Sequence, residues 1–102
     1  MSAKRYATQE LARIEVYGHN SFMTARMKNL SSTGAFFEIS QASFLPKAGD
    51  LINVTVRLNT LAKERNVSAE VVWTKGLGLG VCFVSKEEAL EKMFLRPTRP
   101  QL

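Results

Sequence analysis

The sequence predicts an all-β fold: a six-stranded antiparallel β-barrel with one short C-terminal α-helix. Three observations lead there. Apolar residues recur at every second position in six separate stretches, which is the spacing of half-buried strands. Clusters of Gly, Asn, Ser and Pro punctuate those stretches. One stretch near the C-terminus instead carries helical spacing and its own cap. Six short strands with polar outer faces are too many for a flat sheet in 102 residues. Closure buries their inner faces and removes the exposed edges.

Residues 1–10 read as a flexible arm carrying Lys4 and Arg5. Over residues 11–17, Ala12, Ile14 and Val16 face one way and Arg13, Glu15 and Tyr17 the other. Gly18-His19-Asn20-Ser21 then offers a turn that tolerates positive φ. Residues 22–30 place Met23, Ala25 and Met27 inward, and Ser31-Ser32-Thr33-Gly34 ends that strand. Alternation resumes over 35–39, with Phe37 inward and Phe36 opposite. Residues 40–50, with Pro46 and Gly49, form a loop. The clearest strand is 51–58, where Ile52, Val54, Val56 and Leu58 alternate with Asn53, Thr55 and Arg57. Residues 59–66 are a polar hairpin connection, and strands 67–74 and 77–84 flank Lys75-Gly76. The helix spans 86–95: Ser85 caps it, Glu88 completes a capping box, and Leu90, Met93 and Phe94 are expected to plug one end of the barrel. Residues 96–102 hold two prolines and read as a tail.

The chain therefore divides into an arm (1–10), a single domain (11–95) and a tail (96–102); two domains would each be too small to bury a core. With 14 Lys+Arg against 9 Asp+Glu, the formal net charge is +5, which suits an anionic partner. One cysteine, Cys82, excludes an internal disulfide and a cysteine-based zinc site. No apolar run approaches the roughly 20 residues of a membrane-spanning helix, and no signal peptide is evident, so a cytoplasmic location is expected.

Little here suggests catalysis. His19 reads as a solvated turn residue and Cys82 as a small strand residue. The Gly76–Gly80 run lacks the spacing of a phosphate-binding loop and precedes a strand, so it reads as a hairpin with close strand packing. No nucleophile or acid/base motif is recognisable, and the chain reads as a non-enzyme without cofactor. Phe37 belongs to the core. Trp73, in step with Ala69 and Val71, reads as core as well. Within the Asn29–Gly34 turn, local side-chain bonds to backbone and a glycine conformation closed to other residues are the plainest account.

Asn29-x-Ser31-x-x-Gly34 resembles the Asp/Asn-x-Ser-x-x-Gly motif of PilZ domains, bacterial receptors for cyclic di-GMP. The likeness continues through Leu45-Pro46-Lys47-Ala48-Gly49-Asp50 and the strand after it, then Glu70-Val71-Val72-Trp73 and Gly80-Val81-Cys82-Phe83. The resemblance implies a six-stranded split barrel. It also implies a ligand site at Lys4, Arg5, Asn29, Ser31 and Gly34. The family's other signature is Arg-x-x-x-Arg; Arg5 fits its second arginine, and Met1 stands where the first would be. In the implied site Arg5 clamps a guanine edge or a phosphate, Asn29 accepts from guanine N–H groups, and Ser31 bonds base or phosphate. Gly34 lets backbone approach the ligand. The implied function is a cyclic di-GMP-binding signalling protein acting on an unidentified effector in motility, pilus, biofilm or exopolysaccharide control. Two alternatives stand beside it: a degenerate PilZ adaptor acting through protein contacts alone, and a basic barrel binding single-stranded nucleic acid. Charge favours the last, and a shortage of exposed aromatic pairs disfavours it.

Overall fold

The strand alternation read from the sequence is realised as a closed ring. The computed structural model describes residues 6–7, 10–19, 21–58 and 63–95. Its elements are β1 (Tyr6–Ala7), β2 (Leu11–Val16), β3 (Phe22–Leu30), β4 (Gly34–Gln41), β5 (Leu51–Leu58), β6 (Lys63–Lys75), β7 (Gly78–Val84) and α1 (Lys86–Leu95). Strand order is β3-β2-β5-β6-β7-β4, and β4 pairs back onto β3, so six antiparallel strands close a barrel. β1 lies outside that ring and adds two pairs to β3, Tyr6 opposite Leu30 and Ala7 opposite Asn29. The expected tail at 96–102 and residues 59–62 of the expected connection lie outside the described residues. Residues 63–66, read as connection, instead extend β6, where Asn66, Arg65 and Glu64 pair with Thr55, Val56 and Arg57 of β5, because backbone pairing to a long partner strand does not need apolar alternation.

Inward residues of every barrel strand meet in one core. Phe37, Ile14, Met23, Ile52, Leu79, Val54 and Val71 are fully buried. At about 1.5–3 kcal/mol per buried large apolar side chain, these dominate stability. Surface pairs such as Arg57–Glu64 contribute only about 0–1 kcal/mol. Ser68, the buried polar residue, is satisfied by Tyr17, whose hydroxyl lies 3.0 Å away.

Closure needs bends, and β-bulges supply them. Two interrupt the β3–β4 ladder and one the β6–β7 ladder, between Val71 and Trp73. This last bulge corrects the reading of Trp73. Val71 pairs with Val81 and Trp73 with Gly80, so Val72 is the extra residue and the alternation slips by one. Val71 is buried, whereas Trp73 is 46% exposed on the outer face.

Helix α1 starts as expected: the Glu88 N–H donates to Ser85 Oγ at 2.9 Å and the Ser85 N–H to Glu88 Oε1 at 3.4 Å. Its docking differs from expectation. Ala89 is buried and Lys92 is paired with Glu70 of β6, while Leu90 is 53% and Phe94 76% exposed. The Met93 side chain lies outside the described residues. Among the described residues an ion pair and one small residue seat the helix on β6, and Leu90 and Phe94 face away.

Candidate functional site

A turn, a glycine and a bulge together build one outer-face pocket. After β3, Ser31 organises the connection to β4. Its N–H donates to Gly34 O at 2.9 Å, and its Oγ accepts the N–H groups of Gly34 at 3.2 Å and Thr33 at 3.3 Å. The hydroxyl proton is left with long contacts, 3.3 Å to Gly34 O or to Thr33 Oγ1. Ser31 thus holds the turn and keeps a weakly engaged donor at the surface.

Gly34 is required for a different reason from the one expected. Its φ is not positive; in the described residues that conformation belongs to Gly18, Gly49 and Gly76. A Cβ on Gly34 would instead stand 2.1 Å from the Val81 carbonyl oxygen, since β7 runs hard against the motif.

Across β4, β7 and β6 the register aligns Phe36, Gly80 and Trp73 in one row. The missing side chain at Gly80 lets the flanking rings meet, stacked with centroids 5.4 Å apart and planes 21° apart. A Cβ there would lie 2.2 Å from Trp73 Nε1. The close strand packing expected of the glycine-rich run is therefore an aromatic contact.

These features converge. Asn29, Ser31, Gly34, Phe36, Trp73 and Cys82 are among the residues lining a pocket of about 160 Å³. Asn29 also pairs with Ala7, so β1 itself lies beside the motif. The pocket offers an amide, a hydroxyl, close backbone and an aromatic face: donors, acceptors and a stacking surface for a planar heterocycle.

The PilZ domain family model matches residues 2–96. The chain belongs to the PilZ domain family. Among curated proteins, none matches this chain. The chain is similar in structure to the PilZ domain of CeSA from a cellulose-synthesizing bacterium. The TM-score is 0.69 at 14% identity, and the match covers 92% of this chain and 93% of that one.

Of the PilZ site residues expected from the sequence, Asn29, Ser31 and Gly34 share this pocket. Lys4 and Arg5 lie outside the described residues. Sequence reasoning missed Phe36, Trp73 and Cys82, because their meeting depends on the bulge at Val72 and on cross-strand register. The glycine at position 80 was the available signal: a strand glycine marks close approach by a neighbour. Among the described residues no group of His, Cys, Asp and Glu could hold a metal ion, and no helix is long and apolar enough to cross a membrane.

Proposed function

We propose that this PilZ domain is a receptor for cyclic di-GMP that passes the second-messenger level to an effector protein. One observation carries the reading: Asn29, Ser31 and Gly34 line the same pocket as the Phe36–Trp73 stack. Cyclic di-GMP presents two purine faces and two phosphates, and each wall of the pocket answers one of these features. The exposed Trp73 ring receives a guanine face. The Asn29 amide oxygen accepts from the guanine N–H edge, and the Ser31 hydroxyl exchanges its long internal contact for a ligand oxygen.

Arg5 supplies the charge in this reading. It precedes Tyr6 in the sequence, and Tyr6 pairs with Leu30, the residue between Asn29 and Ser31. A guanidinium can donate two parallel bonds to guanine O6/N7 or clamp a phosphate, and Lys4 adds a second cation. Contact between Arg5 and the ligand changes the surface an effector meets.

Calorimetric titration with cyclic di-GMP, run beside GTP and a short single-stranded oligonucleotide, tests this. Saturable binding of cyclic di-GMP alone is expected. Silence towards all three, with the protein folded, favours the adaptor. Oligonucleotide binding that falls steeply with salt, by about 0.7 log units per phosphate contact for each log unit of salt, favours the nucleic-acid reading.

A further inference from the structure

A second pocket of about 290 Å³ opens on the outer face of β2, β3, β5 and β6, sharing no lining residue with the first. Leu11, Arg13, Thr24, Thr55, Arg57 and Glu64 line it. In register, Arg13 stands directly between Thr24 and Thr55, and Leu11 stands opposite Arg26. The Arg13 guanidinium lies 5.2 Å over the Phe22 ring and makes no ion pair among the described residues. Arg57 is paired with Glu64 at 3.3 Å, and Glu15 on the rim is held by Asn53. Leu11 and Phe22 are 45% and 54% exposed. Two arginines against one glutamate line this pocket, with Arg57 shared with Glu64. That excess of positive charge, with hydroxyl donors and two exposed apolar side chains, fits a carboxylate next to an apolar group.

The chain itself presents such a segment. On α1, Glu87, Leu90, Glu91 and Phe94 fall at i, i+3, i+4 and i+7, one stripe of the helix. All four are exposed, on the side away from Ala89. The element holds three glutamates against Lys86 and Lys92, and Lys92 is already tied to Glu70. Because the stripe and the arginine face are both open, they are not in contact within one chain.

We propose that the Arg13–Arg57 face docks the α1 stripe of a second copy of the chain. Glu87 and Glu91 meet Arg13 and Arg57; Leu90 and Phe94 cover Leu11 and Phe22. The spacings suit. Carboxylate-bearing residues at i and i+4 are about 6 Å apart along a helix. Arg13 and Arg57, diagonal neighbours on paired strands, sit about 8 Å apart at Cα. Arginine side chains span that difference. The contact is independent of nucleotide binding.

Sedimentation velocity on the full chain across a concentration series tests the proposal. The wild type is expected to self-associate reversibly. Glu87→Arg/Glu91→Arg and Arg13→Glu/Arg57→Glu should each weaken association by about tenfold or more, since two attractions become repulsions. An equimolar mixture of the two variants should associate again, because the reversed helix now matches the reversed face. Phe94→Ser, at a site too exposed to disturb folding, should weaken association while the melting temperature stays unchanged. A wild type that sediments as a monomer at every concentration overturns the proposal and leaves the face to another acidic occupant. Variants that associate as tightly as the wild type, or a mixture that stays monomeric, overturn it equally.

Discussion

Gly34→Ala and Gly80→Ala add the same methyl group at nearly the same overlap, yet the first should destabilise strongly and the second hardly at all. At Gly34 the new Cβ meets the Val81 carbonyl oxygen at 2.1 Å, and at Gly80 it meets Trp73 Nε1 at 2.2 Å. The first obstacle is backbone in a closed ring. Relief requires β4 and β7 to part by about an ångström, which strains the Phe83 N–H bond to Thr33 O and its neighbours. Overpacking of this kind costs about 3 kcal/mol. At ~4–8 °C per kcal/mol for a domain of this size, the melting temperature should fall by roughly 12–24 °C. The second obstacle is a half-exposed side chain that can swing into solvent. Losing the stack costs about 0.5–1.5 kcal/mol, and replacing glycine where φ is not positive returns about 0.4–1 kcal/mol. Gly80→Ala should therefore melt within about 8 °C of wild type. Thermal melts by circular dichroism read the first effect. The chain has one tryptophan, so its emission reads the second directly and should shift to longer wavelength in Gly80→Ala. A Gly34→Ala protein as stable as wild type, or a Gly80→Ala protein with unchanged emission, refutes the packing described for this face.

Trp73→Ala removes the stack on Phe36, so it should cost about 0.5–1.5 kcal/mol of stability and weaken cyclic di-GMP binding by about 1–3 kcal/mol in calorimetry; unchanged affinity removes the stacking role. Arg5→Ala should abolish detectable binding without altering the melting temperature, and Arg5→Lys should bind poorly because the fork rather than the charge reads guanine. Ser31→Ala removes the acceptor for two turn N–H groups, so about 1 kcal/mol of stability should go, with a smaller loss of binding than Arg5→Ala. Phe37→Ala, at the centre of the core, should cost about 3–5 kcal/mol in denaturant unfolding; a cost under about 1 kcal/mol would contradict the burial.

The ring of strands was legible because inner and outer residues alternate with a period of two, and 51–58 and 22–30 agree with β5 and β3 to the residue. Trp73 was misread because a bulge inverts alternation without changing composition: position 72 looks like any strand valine. The helix was legible in extent and cap but not in orientation. An apolar stripe at Leu90 and Phe94 marks a face, and which face meets the barrel depends on Glu70, a residue 22 positions away from Lys92. Asn29, Ser31 and Gly34 were found because they fall within one six-residue motif. Phe36 and Trp73 were not, since their contact exists only through the register across Gly80.

Because every strand of the ring has a neighbour on both sides, the barrel is mechanically stiff: separating any pair breaks a whole ladder at once. The compliant parts are the appended ones: among the described residues β1 is held by two backbone pairs and α1 by one buried alanine and one ion pair. Amide hydrogen exchange should divide along that line. Ring amides such as those of Ile14 and Val54 should exchange only by global unfolding. Amides of β1 and α1 should exchange through local openings that leave the ring intact. Under the proposed receptor function, a message from the pocket to an effector would travel at little elastic cost through these two attachments, with the barrel between them as the fixed frame they move against.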